Sequence, residues 1–153
     1  RTDICTDILQ TAFKDNSWDV IYGCHGLEHL IYPGDVVECL NRFYRWLKPG
    51  GILRISVPSL EIAVNAYVEK RDMKFLLGEP FDSLHYKRTR GEYLNKFITS
   101  FDHQMCYDFE LLSSLFADAG FKEIKNCQPN ESDIPGFNHD RFNDCSLYVE
   151  AKK

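Results

Sequence analysis

Residues Ser17 to Glu61, SWDVIYGCHGLEHLIYPGDVVECLNRFYRWLKPGGILRISVPSLE, read as strand, loop, amphipathic helix, turn and strand. Val20, Ile21 and Tyr22 form a short apolar run behind an aspartate, and Ile52, Leu53, Ile55 and Val57 form a second. Runs of this kind suit strands buried in a parallel sheet. Between them Val36, Val37, Leu40, Phe43, Tyr44 and Leu47 recur at three- and four-residue spacing, which lays them along one helix face. Asp35 is placed to cap that helix, with Glu38 three residues on. Pro49-Gly50-Gly51 is placed to end it and turn the chain back. Together these make a βαβ crossover.

Outward from this unit, Ser59 follows Pro58 and is expected to cap a helix through Lys70, whose apolar face is Ile62, Ala63, Ala66 and Tyr67. From 71 to 107 periodicity is lost. Phe75, Phe81, Tyr86, Tyr93, Phe97 and Phe101 are interleaved there with Lys87-Arg88-Thr89-Arg90, and the segment is too long for a simple connection. It predicts a small helical lid or substrate-side insertion. The basic run is either an anion contact or a solvated loop, and the aromatics either cover a small molecule or form a satellite core. Regular structure resumes at Asp108: Leu111, Leu112, Leu115, Phe116 and Ala119 share a helix face, Phe121 to Cys127 read as a strand, and Ser146 to Ala151 as the last strand. No internal repeat or second domain is visible, so residues 1–153 are expected to be one domain.

Composition narrows the function classes. At 153 residues the chain can bury a real core. With 23 acidic against 18 basic residues its net charge is −5, which argues against general nucleic-acid binding, since phosphate binding needs a cationic face. No apolar run approaches bilayer-spanning length and no signal sequence opens the chain, so a cytoplasmic protein is expected, with no membrane partner. The six cysteines, Cys5, Cys24, Cys39, Cys106, Cys127 and Cys145, show no paired spacing. They read as reduced thiols, several of them small core residues.

The segments Phe13-Lys14-Asp15-Asn16-Ser17-Trp18-Asp19, Leu27-Glu28-His29 and Arg45-Trp46-Leu47-Lys48-Pro49-Gly50-Gly51 together resemble the class I S-adenosylmethionine-dependent methyltransferases. The Lys-Pro-Gly-Gly turn roughly thirty residues after Ser-Trp-Asp is the more specific part of the match. Asp108 to Leu112, Ala119-Gly120-Phe121 and Ser146 to Ala151 agree with the same family. The resemblance implies an α/β three-layer sandwich with a mostly parallel sheet, an incomplete Rossmann-like methyltransferase fold. It is incomplete because no Gly-x-Gly turn occurs and Arg1 lies only six residues before Asp7, so an N-terminally truncated domain is expected. Within the family the closest likeness is to members that modify sugars or surface polysaccharides. The alternative is a non-catalytic interaction or dimerisation domain that keeps the scaffold alone. An oxidoreductase of similar fold would need a dinucleotide fingerprint that the chain lacks.

Ligands in open α/β sheets sit at the carboxyl ends of the strands, which puts Gly23 to Gly26 and Pro58-Ser59 at the site mouth. The resemblance implies that Asp7 accepts from the adenine amino group of S-adenosylmethionine, with the Ile8 backbone beside it, and that the backbone of Gly23, Cys24 and His25 lies near the methionine end. His29 and His25 are the candidate catalytic bases toward a small-molecule acceptor, because imidazole titrates near neutral pH. Asp7 read alone is an ordinary turn residue, and Glu28 and His29 read equally as helix-orienting groups. His25, Glu28 and His29 have the i, i+3, i+4 spacing of a metal-binding helix face, but with no further ligand evident, metal binding ranks below a structural role and no metal is expected. Without a first strand beside it, Trp18 to Cys24 would be an open sheet edge, and a homodimer through that edge is expected.

Overall fold

A computed structural model describes residues 4–77 and 89–153. Phe81, Tyr86, Lys87 and Arg88 of the aromatic and basic segment lie outside those residues. The elements run β1 (Trp18–Cys24), α1 (Gly34–Trp46), β2 (Leu47–Pro58), α2 (Leu60–Val68), α3 (Arg90–Thr99), α4 (Phe109–Asp118), β3 (Lys122–Cys127) and β4 (Ser146–Lys152), with short 3-10 turns at Leu27–His29 and Lys74–Leu76. The sheet order is β1-β2-β4-β3. β1 pairs parallel with β2, and β4 runs antiparallel to both β2 and β3. Three of the four strands therefore share a direction and the expected α/β class is what the chain adopts, but the sheet is mixed rather than mostly parallel, because β4 enters between β2 and β3 and makes two of the three pairings antiparallel.

Local chemistry explains most element boundaries. Ser59 Oγ accepts from the Ile62 amide at 3.2 Å and Asp108 Oδ1 from the Leu111 amide at 2.8 Å, so α2 and α4 start where side-chain caps satisfy otherwise free N–H groups. Thr89 does the same for α3. The α1 boundaries differ from expectation. Asp35 is not the cap: Pro33, with φ −87° and ψ −15°, already has helix-like dihedrals at the cap position, so the helix opens at Gly34 and Asp35 falls in the first turn, where its charge faces the positive end of the helix. Nor does Pro49-Gly50-Gly51 end α1. Leu47, fully buried, pairs with Trp18 and so joins the sheet, which ends the helix at Trp46. The Lys48–Gly51 turn is instead an irregularity within β2, where the register slips between Trp18 and Val20. Gly51 is needed there, because a Cβ would lie 2.9 Å from the Lys48 carbonyl oxygen and 3.1 Å from that of Asp19. The α2 helix stops at Val68, two residues short of Lys70, whose φ is +59°.

The two faces of the sheet are buried in different ways. Leu53, Ile55 and Val57 of β2 and Leu147, Val149 and Ala151 of β4 point toward α1 and α4 and form the main core with Val36, Leu40, Phe43, Trp46, Leu112 and Phe116. The alternate residues Arg54, Ser56, Tyr148 and Glu150 face the other way and are just as buried. What covers them is the irregular segment from 128 to 145. Arg54 bonds Asp140 at 2.5 Å and Glu150 at 3.1 Å, and its guanidinium also donates to the Glu131 and Gln128 carbonyls. Glu150 in turn accepts from Ser132 and from the Asp133 amide. The guanidinium lies 5.0 Å from the Phe137 ring centre. Every part of that cation has a partner, which is the condition for burying it. A smaller core of Ala63, Ala66, Met73, Leu76, Leu77, Phe97, Cys106 and Cys145 joins α2, α3 and the chain near Leu76 beyond the strand ends.

Among the described residues β1 pairs only with β2. The preceding residues do not form a strand along its free edge. Ile8, Leu9 and Phe13 pack against the main core instead, with Phe13 edge-on to Trp18 and Trp46 at 5.3 and 5.0 Å.

Candidate active site

At the carboxyl ends of β1 and β2 the chain encloses a cavity of about 430 Å³. This lies within the range of about 300–1,000 Å³ usual for small-molecule sites. Its polar groups come from the β1 exit, His25, Glu28 and His29, from His103 beyond α3, and from Asp144 and Cys145 before β4. Its apolar walls include Phe75, Leu77, Phe97, Phe101 and Phe142.

The rim is stitched by main-chain hydrogen bonds between segments far apart in sequence. The Gln104 amide donates to the Glu28 carbonyl at 2.8 Å, the Ser59 amide to Cys145 at 2.9 Å and the Leu60 amide to Tyr107 at 2.9 Å. The first of these sets His103 opposite the Glu28 turn. His25 extends the β1–β2 ladder by one bond, its amide donating to Ser56 at 2.9 Å, and then takes φ +50°, which turns the chain into the 3-10 turn carrying Glu28 and His29.

Glu28 is the centre of the polar cluster. It is completely buried, and neither carboxyl oxygen has a hydrogen-bond partner. His25 Nδ1 lies 3.5 Å from Glu28 Oε1 and His29 Nε2 lies 3.9 Å from it. The His29 ring stands edge-on to His103 at 5.1 Å. Burial pushes the Glu28 carboxyl up to about 7. Burial, with His103 and His29 adding to it, pulls His25 down to about 4, and burial also lowers His103. His25 Nε2 lies 2.7 Å from Ser146 Oγ, and its ring is tilted against Phe142 at 4.5 Å. The Tyr107 hydroxyl, buried and unpartnered as well, is raised above its usual range by burial and by the charge of Glu28.

The residues expected to hold the cofactor are distributed over three hollows. His25 lines the cavity just described. Ile8 and Gly23 line a second, apolar hollow of about 150 Å³ with Gly26, Leu27 and Leu30. Cys24 lines a third with Tyr22, His139 and Asp140. Asp7 is exposed, and its Oδ1 accepts from the Leu9 amide at 2.8 Å in a local turn. Gly23 owes its small size to packing at least, since a Cβ there would meet Ile55 Cδ1 at 2.8 Å. The apolar hollow at Ile8 and Gly23 is of a chemistry that would take an aromatic ring edge, and Asp7 has a second oxygen beside the one bonded to the Leu9 amide. His103 is the member of the cluster that sequence reasoning missed. It stands 74 positions from His29 in the chain's least periodic segment, and no local pattern marks it.

Comparison with known proteins agrees with this geometry. Residues 2–55 match the methyltransferase domain family. Phosphoethanolamine N-methyltransferase 3 of Arabidopsis thaliana is 35% identical over 72 residues, which cover 42% of this chain and 14% of that protein. A SAM-dependent methyltransferase from Archaeoglobus fulgidus superimposes with a TM-score of 0.57 at 17% identity, over 98% of this chain and 66% of that one. Human N-acetylserotonin methyltransferase, solved with SAM, gives 0.56 at 16% identity, over 97% of this chain and 32% of that one. The chain thus spans from about a seventh to two thirds of the length of these relatives. Over its first third the sequence is similar to the methyltransferase domain family, and over the described residues the fold is that of S-adenosylmethionine-dependent methyltransferases.

Proposed function

We propose that the protein carrying this chain transfers a methyl group from S-adenosylmethionine to a hydroxyl or amine of a small molecule held in the cavity between β1, β2 and α3. The observation that carries this reading is a cavity of about 430 Å³ at the carboxyl ends of β1 and β2, apolar in its walls and lined at one end by His25, Glu28, His29 and His103. The cofactor supplies an activated methyl group on sulfur. What is left to the protein is to orient the acceptor atom and receive its proton.

Of the two expected bases, the geometry favours His25 as the proton acceptor. Its Nδ1 faces Glu28 at 3.5 Å, so a proton taken up by the ring is met by a carboxylate. The imidazole stays neutral at physiological pH, and its Nε2, 2.7 Å from Ser146 Oγ, takes the acceptor's proton once that contact opens. Modest basicity suffices, because the acceptor proton becomes acidic as the new bond to carbon forms. His29, with 40% of its side chain exposed, stands where it can orient the acceptor. The apolar walls favour an acceptor with an aromatic or aliphatic body over the sugar suggested by sequence likeness. The phosphoethanolamine relative keeps a small polar amine among the candidates. All six cysteines are free, which suits the reducing interior of a cell, and no described helix is long and apolar enough to cross a membrane.

Methyl transfer from isotope-labelled S-adenosylmethionine to a panel of small amines, phenols and sugars tests the reading. The expected result is transfer to one chemical class, with His25→Gln lowering kcat by ten- to a thousand-fold and leaving KM within a few-fold. Equal loss in kcat and in thermal stability would reduce His25 to a structural residue and move the assignment to His29.

A further inference from the structure

We infer that Glu28, His29 and His103 form a binding site for a divalent transition-metal ion. One ligand atom from each lies within 4.8 Å of the other two. The carboxylate is the decisive member. A completely buried carboxyl with no hydrogen-bond donor on either oxygen is otherwise an uncompensated cost, and a cation is the partner that removes it. His103 is prepared in the way ligating histidines usually are. Its Nδ1 lies 3.3 Å from the Phe97 carbonyl, which fixes the ring by accepting a hydrogen bond from that nitrogen and leaves the Nε2 lone pair for a metal. His29 presents Nε2 toward the same carboxylate.

Donor atoms bound at ~2.1 Å from a metal sit ~3–3.5 Å apart, so the three groups must draw together by about an ångström or more. His29 is exposed enough to make that rotation, while Glu28 and His103 are held by the main-chain tie between Glu28 and Gln104. Two imidazoles and one carboxylate select zinc, cobalt or iron(II) over magnesium and calcium, which prefer oxygen throughout. The set leaves coordination positions facing the cavity, where an oxygen or nitrogen of a small molecule would complete the shell. His25 is not one of the three, although its Nδ1 lies 3.5 Å from the same Glu28 oxygen that His29 approaches, so a bound cation would share that carboxylate with it. The inference does not depend on methyl transfer, because the three residues belong to this chain and need no cofactor to bind metal.

The test is titration of the purified protein with Co²⁺, followed by visible absorption, and with Zn²⁺, followed by calorimetry, both without S-adenosylmethionine. One equivalent of either metal is expected to bind at micromolar concentration or below. Glu28→Gln and His103→Ala are expected to weaken binding at least ten-fold, while His139→Ala, which lines a different hollow and is not part of the trio, leaves it unchanged. Circular dichroism of each variant separates ligand loss from misfolding, and Glu28→Gln, which keeps the shape of the side chain, serves if His103→Ala does not fold. Absence of saturable binding at 100 µM metal, or equal affinity in wild type and both ligand variants, overturns the inference. Neither result bears on methyl transfer, which is measured separately.

Discussion

Glu28 and Gly23 show what single residues contribute here. With no donor on either oxygen, the Glu28 carboxylate opposes folding of the metal-free protein. Glu28→Gln removes the charge and keeps the shape, so it is expected to raise stability of the metal-free form above pH 7, where the carboxyl is charged, read as an upward shift in Tm that fades as the pH falls. A lower Tm would mean that the carboxylate has a partner after all. Gly23 is expected to matter through backbone contact with a cofactor, and packing bears on it too, through the end of the Ile55 side chain. Gly23→Ala should cost about 1–3 kcal/mol by driving its methyl into Ile55 Cδ1, 2.8 Å away. Ile55→Val deletes that atom and should recover part of the loss in the double variant. Urea unfolding of the single and double variants measures both effects, and additive losses would remove the explanation. The sequence made His25, Glu28 and His29 legible because they lie within five positions on one exit loop. It could not announce His103, since nothing local distinguishes that histidine from a solvated one.

At the level of elements, legibility followed locality. Starts set by a side chain bonding three residues ahead, at Ser59 and Asp108, were readable. The α1 start was not, because Pro33 takes the cap position by its fixed ring and leaves no polar signature. The α1 end was missed because burial of Leu47 against the sheet outweighs the turn residues after it. The second face of β2 was harder still. Arg54 interrupts a run that reads as apolar, and its partners Asp140 and Glu150 lie 86 and 96 positions away. The segment 128–145 has no strand or helix to hold it, so this ion network is its main attachment to the sheet. Asp140→Ala leaves the guanidinium with half its charge balance and should destabilise by about 3–5 kcal/mol. Amide exchange is expected to accelerate from 128 to 140 while β2 and α4 remain protected. Uniform loss of protection across the sheet would show that the segment is not a separable attachment.

For the whole molecule, burial orders the thiols, and the sheet ends in two edge strands, β1 and β3. Cys5 is exposed, whereas burial pushes Cys39 and Cys106 up to about 12 and Cys145 up to about 11. Alkylation needs the thiolate, so at pH 8 iodoacetamide should label Cys5 quickly and these three only after unfolding. Mass mapping that finds Cys106 modified in the folded protein would contradict the burial of the second core. On the other side, β1 offers unpaired backbone groups, and we propose that two copies of this chain pair along it. Light scattering over a concentration series should then give a dimer mass, and a monomer mass throughout would exclude the pairing. The bonds that stitch the cavity rim join positions 28, 59, 104 and 145, so no contiguous piece of the chain contains the cavity. Whatever route folding takes, long loops must close before these bonds can form. The site is therefore expected to form late, together with the long-range strand pairing. During refolding, the absorption of cobalt bound at Glu28, His29 and His103 should develop only with the slowest phase, after the helical signal has reached its final value.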